Sequence, residues 1–89
     1  MKKVLKTQNT TDSKTQYNLV ASEINLDDDA VITYGIEIVE SLSSGKTQTT
    51  EILDITSNFE KVEGLFEKVV RLEINASSLR GIVDDFIIS

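Results

Sequence analysis

From residue 57 onward the apolar side chains recur every three or four positions, the spacing of one face of an α-helix. The two stripes consist of Phe59, Val62, Leu65, Phe66, Val69 and Leu72, then Leu79, Ile82, Val83, Phe86 and Ile87. The spacing predicts two short amphipathic helices. Because each apolar face must be buried against another element, residues before 57 must supply that surface.

The helix ends carry recognisable polar signals. Ser57 stands three residues before Glu60, the spacing of a capping box, so we expect Ser57 to be the N-cap of the first helix. Asn75-Ala76-Ser77 separates the two stripes. We expect Asn75 near the C-cap of the first helix and Ser77 or Ser78 at the N-cap of the second.

Gly64 interrupts the predicted first helix, where glycine costs about 1 kcal/mol relative to alanine. Our interpretation is that the helix packs closely at Gly64, on the sheet or on the second helix. The alternative is that a ligand or partner approaches the backbone there.

The preceding residues alternate between apolar and polar side chains, as β-strands do. The pattern predicts strands at 17–26, 30–42 and 47–55, and either an edge strand or a frayed segment within 1–16. The fold class that follows is α+β, a three- to four-stranded antiparallel meander with a C-terminal pair of helices packed on one face. We expect one domain over residues 1–89, divided into segments 1–16, 17–56 and 57–88.

The loop lengths predict the register of the strands. A three-residue loop of Asp27, Asp28 and Asp29 pairs Ile24 with Ile32, and a two- or four-residue loop within 43–46 pairs Ile36 with Leu53. The predicted core face therefore consists of Val20, Ile24, Ile32, Tyr34, Ile36, Ile38, Leu53 and Ile55. The predicted wetter face includes Glu23, Thr33, Glu37 and Thr50.

The formal net charge of −6 is unevenly distributed along the chain. Residues 1–14 have a balance of +3, and residues 15–89 have a balance of −9. An acidic body disfavours contact with nucleic-acid phosphates and with anionic membranes. We therefore expect neither direct nucleic-acid binding nor membrane binding.

The composition also restricts the chemistry, because the chain contains neither cysteine nor histidine. Thiolate and imidazole metal sites are excluded, and so is catalysis that depends on either residue. The aspartates at 27–29 lack the ligand spacing of an EF-hand, and Gly45-Lys46 lacks the upstream glycine of a phosphate-binding loop. We expect no enzyme activity, no cofactor and no metal. With no apolar run for secretion or membrane spanning, we expect a cytoplasmic location.

Four blocks of the chain resemble a family of small, uncharacterised bacterial proteins found mainly among the Firmicutes. The blocks, spread over about residues 30–88, are Tyr34-Gly35-Ile36-Glu37-Ile38, Glu51-Ile52-Leu53-Asp54-Ile55-Thr56, Val62 with Leu65, and Leu79 followed by Ile82-Val83-Asp84-Asp85-Phe86-Ile87. The resemblance implies a bacterial, Firmicutes-like source and the fold stated above. It implies no activity.

The leading functional hypothesis is a small acidic protein-interaction module that regulates or adapts a protein partner with a basic surface. The candidate partner-binding residues are Glu37, Glu60, Glu63, Glu67, Asp84 and Asp85. One alternative is a phage-type inhibitor that mimics nucleic acid, as small nuclease inhibitors and anti-CRISPR proteins do. Another is a structural homodimer or larger homo-oligomer, paired through a sheet edge or an apolar patch.

Overall fold

The predicted α+β class is confirmed by the computed structural model, which describes residues 2–12 and 14–88. The elements are β1 Lys2–Asn9, β2 Thr15–Leu26, β3 Asp29–Ser41, β4 Thr47–Thr56, α1 Phe59–Arg71 and α2 Ala76–Ile88. The four strands are antiparallel and lie side by side in chain order, as a meander does. The N-terminal segment therefore forms an edge strand.

Both helices pack on one face of the sheet, α1 over β2, β3 and β4 and α2 over β4. The core between the layers consists of Tyr17, Leu19, Ile36, Ile38, Val62, Leu65, Phe66, Val69, Leu79 and Val83. Burial of each large apolar side chain contributes about 1.5–3 kcal/mol. The predicted stripes are correct at their centres, but their end residues Leu72 and Ile87 remain 52% and 60% exposed.

The predicted register of β2 against β3 is wrong by one residue. The hairpin has a two-residue turn, Asp27-Asp28, because Leu26 pairs with Asp29 and Asp27 adopts a left-handed φ of 53°. Aspartate tolerates that conformation better than most residues. The shift reverses the face of every β2 side chain, so Tyr17 and Leu19 face the helices in place of the predicted Val20 and Ile24.

The predicted register of β3 against β4 is also wrong. The loop has three residues, Ser43 to Gly45, since Ser41 pairs with Thr47 and the Leu42 amide donates to the Lys46 carbonyl. Gly45 has a φ of 85°, which suits the last position of such a loop. Ile36 consequently pairs with Ile52 and not with Leu53.

A β-bulge explains why Ile55 nevertheless packs against the core, as predicted. Ile36 pairs with Ile52 while Tyr34 pairs with Thr56, so the three residues 53–55 lie opposite Gly35 alone. Asp54 within the bulge has a φ of 57°. An added Cβ on Gly35 would lie 2.8 Å from the Leu53 Cα, which shows how closely the bulged backbone approaches β3.

The two registers also correct the predicted assignment of faces. Tyr34, Ile36 and Ile38 face the helices as predicted, but Ile32 lies beyond the helical layer and is 44% exposed. Thr33 and Glu37 belong to the face without helices, called here the open face. Glu23 and Thr50 do not, because they pair with Ile32 and Ile38 on the helical side.

Neither helix has its predicted serine as N-cap: the α1 cap lies one position after Ser57, and the α2 cap lies two positions before Ser77. The side chain of Asn58, not Ser57, caps α1 by accepting a hydrogen bond from the Lys61 amide at 3.1 Å. The side chain of Asn75 accepts from the Ser78 amide at 3.0 Å, at the start of α2. Asparagine and serine are about equally good N-cap residues, so the position at which each helix begins, and not the residue type, decides which side chain is the cap.

The expected close packing at Gly64 is wrong. Gly64 lies on the exposed side of α1, and a Cβ added there would meet nothing within 4 Å. The glycine therefore has no packing role in this chain.

Candidate interaction surfaces

β2 and β3 extend as a two-stranded ribbon beyond the four-stranded sheet. β1 pairs with β2 only as far as Lys2 with Ser22, and β4 pairs with β3 only as far as Tyr34 with Thr56. β2 and β3 remain paired from Glu23 and Ile32 to the turn. Within the part of the chain that the structure describes, residues 23–32, called here the ribbon, therefore have no strand on either side.

The ribbon is acidic and partly apolar. It contains Glu23, Asp27, Asp28 and Asp29, all exposed, and no lysine or arginine. Ile32 adds an apolar side chain that is 44% exposed. None of the core residues whose burial is described belongs to the ribbon. A two-stranded hairpin alone is only marginally stable, so the rest of the sheet has to hold the ribbon in place. The ribbon thus contributes an exposed surface that the core does not require.

A polar network crosses all four strands on the open face. Lys2 Nζ lies 3.0 Å from Glu37 Oε2 and 2.7 Å from Glu51 Oε2. Asn18 Nδ2 donates to Glu37 Oε1 at 2.6 Å, and Thr7 Oγ1 donates to Asn18 Oδ1 at 2.9 Å. Asn18 itself is 5% exposed. The network satisfies the polar groups of a face that no helix covers.

Glu37, one of the predicted partner-binding residues, is committed to this network. Its side chain is only 12% exposed. Burial raises the pKa of Glu37, but the hydrogen bonds from Asn18 and Lys2 outweigh burial and hold the pKa below its ordinary value. The carboxylate is therefore ionised and internally paired, which leaves it little capacity to bind a partner.

The other predicted residues lie in the helical layer. Glu63 forms an ion pair with Lys6 of β1, with 2.6 Å between Oε2 and Nζ. That hydrogen bond raises the pKa of Lys6. Glu60 and Glu67 on α1, and Asp84 and Asp85 on α2, are exposed. The structure thus divides the six predicted residues between the open face and the helices and does not gather them into one site.

Within residues 2–12 and 14–88, no group of three acidic side chains is arranged to hold a metal ion. No helix in the same ranges is both long and apolar enough to cross a membrane.

The sequence contains one signal for the ribbon, the length of the central strands. β2 and β3 have 12 and 13 residues against 8 and 10 for β1 and β4. In a meander, longer central strands must extend beyond shorter edge strands. The acidic residues of the turn are therefore at the tip of a projection.

Comparison with known proteins identifies one family. The family described as a family of unknown function (DUF6514) matches residues 1–89, a wider range than the 30–88 of the resemblance noted above. No curated protein and no solved structure matches the chain.

Proposed function

The chain belongs to the DUF6514 family of unknown function, and from its own structure we propose that it is a protein-interaction module whose ribbon docks on a basic surface of a protein partner. The observation that carries the proposal is the projection of residues 23–32 beyond both neighbouring strands. Exposed strands without neighbours are common elements of recognition, because they present a regular row of side chains at little cost to the core. The module regulates or adapts its partner without catalysis.

The charge of the ribbon specifies the chemistry of the partner. It carries four of the fifteen acidic side chains of the protein within ten residues, and no basic side chain. Opposite charge on a partner accelerates encounter, by about tenfold or more at low ionic strength. The exposed Ile32 at the base of the ribbon supplies apolar contact once the surfaces meet.

The bacterial, Firmicutes-like origin and the cytoplasmic location remain predictions from the sequence. The nucleic-acid mimic differs from this proposal in the identity of the partner, which would have to be a nucleic-acid-binding protein. Competition with DNA or RNA for the captured partner distinguishes the two.

The test compares three forms of the protein as baits in lysate of the producing cells, at low and at high salt. The first is the wild type. In the second, Asn-Gly replaces residues 24–31, so that a two-residue type I′ turn connects Glu23 directly to its strand partner Ile32. The third changes Glu60, Glu67 and Asp84 to their amides, and so removes three exposed acids from the helical layer.

We expect one basic partner that binds the wild type and the helical variant, is lost at high salt, and does not bind the shortened ribbon. Circular dichroism must show that the shortened protein still folds. If the helical variant alone loses the partner, the ribbon proposal is wrong and the acids predicted from the sequence form the docking surface. If a folded shortened variant binds as the wild type does, the proposal is also wrong.

A further inference from the structure

A groove runs between the edge strand β1 and helix α1, on the side of the sheet that the helices cover. Its lining consists of Lys6, Thr7 and Gln8 from β1 and Phe66, Glu67, Val70 and Arg71 from α1. Its volume is about 460 Å³, within the range typical of ligand-binding clefts. Phe66 and Val70 give the groove an apolar floor.

One wall of the groove is a strand whose outer edge is unpaired in the described structure. All eight β1 residues are exposed, and β1 pairs only with β2. The Thr10 amide donates to the Thr15 carbonyl of β2. Because ladder bonds alternate along an antiparallel pair, the amides of Thr7 and Asn9 point away from β2. An added strand would find these backbone groups beside the groove.

The edge strand β1 has a basic sequence, in contrast to the rest of the protein, although two of its lysines, Lys2 and Lys6, are already ion-paired with glutamates. β1 contains Lys2, Lys3 and Lys6 and no acid. Among the described residues, Arg71 has no hydrogen-bond or ion-pair partner, whereas Lys6 already pairs with Glu63. Glu67 is the one acidic residue in the lining. Arg71 is thus the side chain best placed to bind an acidic group.

We infer that this groove accepts an extended acidic segment of another protein, added as a fifth strand along β1. The backbone of the segment pairs with Thr7 and Asn9, and alternate side chains enter the groove. An apolar side chain contacts Phe66 and Val70, and a carboxylate binds Arg71. This surface is separate from the ribbon, and the inference does not depend on the proposed function.

A second copy of the same strand does not fit the edge. Pairing β1 with β1 would bring together two strands that each carry three lysines and no acid. The register shift between Val4 and Lys6 also makes the edge irregular. Lysines and bulges at an edge strand oppose self-pairing, whereas the unpaired Arg71 beside the edge attracts an acidic strand.

The test uses a capped octapeptide in which threonine alternates with valine and glutamate, Val-Thr-Glu-Thr-Val-Thr-Glu-Thr, so that one face carries the apolar and acidic groups. A second peptide has lysine in place of glutamate. Binding is measured by fluorescence polarisation, and amide hydrogen exchange is followed by NMR. The variant Arg71→Glu is compared with Arg80→Glu, an equal charge change at an exposed position of α2 outside the groove.

We expect the glutamate peptide to bind and to slow exchange at the amides of Thr7 and Asn9. Arg71→Glu should weaken binding about tenfold, while Arg80→Glu leaves it within twofold of the wild type, about 0.4 kcal/mol. The inference is overturned if the peptide does not bind, or if it binds without slowing those amides. Equal binding of the lysine peptide, or equal effects of the two arginine variants, also overturns it.

Discussion

Replacing Gly35 with alanine tests the β-bulge that sets the register of β4. An added methyl group would lie 2.8 Å from the Leu53 Cα and still closer to the carbonyl oxygen of Ile52. Both are backbone atoms of the neighbouring strand, so neither can rotate away. Overpacking typically costs about 1–3 kcal/mol, and a backbone obstacle places Gly35→Ala at the upper end, about 3 kcal/mol.

The loss is large for a domain of this size. A change of 1 kcal/mol shifts the melting temperature of a 60–100-residue domain by about 4–8 °C, so Gly35→Ala should lower it by about 12–24 °C. Gly64→Ala makes the same chemical change where nothing lies within 4 Å. Since alanine is the better helix former, Gly64→Ala should stabilise the protein by about 1 kcal/mol.

Urea unfolding followed by circular dichroism measures both free energies. We expect the free energy of unfolding to fall for Gly35→Ala and to rise for Gly64→Ala. If Gly35→Ala unfolds at the same urea concentration as the wild type, β4 does not pass over Gly35, and the register described here is refuted.

Three further predictions concern single contacts. Asn58→Ala should destabilise the protein by about 1 kcal/mol, because it removes the N-cap of α1. In the same urea assay Ser57→Ala should cost much less. A larger loss for Ser57→Ala would show that Ser57, and not Asn58, is the N-cap. Tyr17→Phe should cost about 1 kcal/mol, because the Tyr17 hydroxyl donates to the Ile74 carbonyl at 2.9 Å; an unchanged unfolding free energy would exclude that bond. The lowered pKa of Glu37 stabilises the fold above the carboxyl's unfolded-state pKa, and this contribution is lost as pH falls through the folded-state pKa. An NMR titration of the Glu37 carboxyl should therefore have a midpoint below the ordinary 4.5, and a midpoint at or above that value would contradict the network.

The class of every element except β1 was predictable from the sequence, because periodicity depends on side chains that are close along the chain; within residues 1–16 the sequence left an edge strand and a frayed segment open. The three- and four-residue spacing located both helices, and alternation identified the central strands. The centre of each apolar stripe, such as Val62 and Val69, is buried as expected.

The registers were not predictable, because they depend on turn geometry. Asp27 in a left-handed conformation shortens the first hairpin loop by one residue, and the bulge at Asp54 adds residues to β4. A change of one residue moves a whole strand to the other face. That is why Leu19 packs against the helices, whereas Val20 is fully buried, as predicted, but lies on the other face.

The surroundings of the candidate binding residues were not predictable, for a related reason. A charge count cannot show which acids are already paired inside the molecule. Glu37 and Glu63 are bound by lysines of β1, a strand more than thirty residues away along the chain. The ribbon depends on where neighbouring strands end, and the groove depends on how α1 lies beside β1. Both are consequences of tertiary structure.

The most direct test of the central claim is the association rate of the purified partner with the wild type and with a ribbon variant in which Asp27, Asp28 and Asp29 are all asparagine, measured across a range of salt concentrations. The triple change of Glu60, Glu67 and Asp84 to amides is the control, because it removes the same number of charges. We expect the ribbon variant to lose most of the association rate at low salt and most of the dependence of that rate on salt concentration. The control variant should keep the wild-type association rate and its salt dependence. Equal rates and equal salt dependence for the ribbon variant and the wild type would contradict the claim that the ribbon is the docking surface.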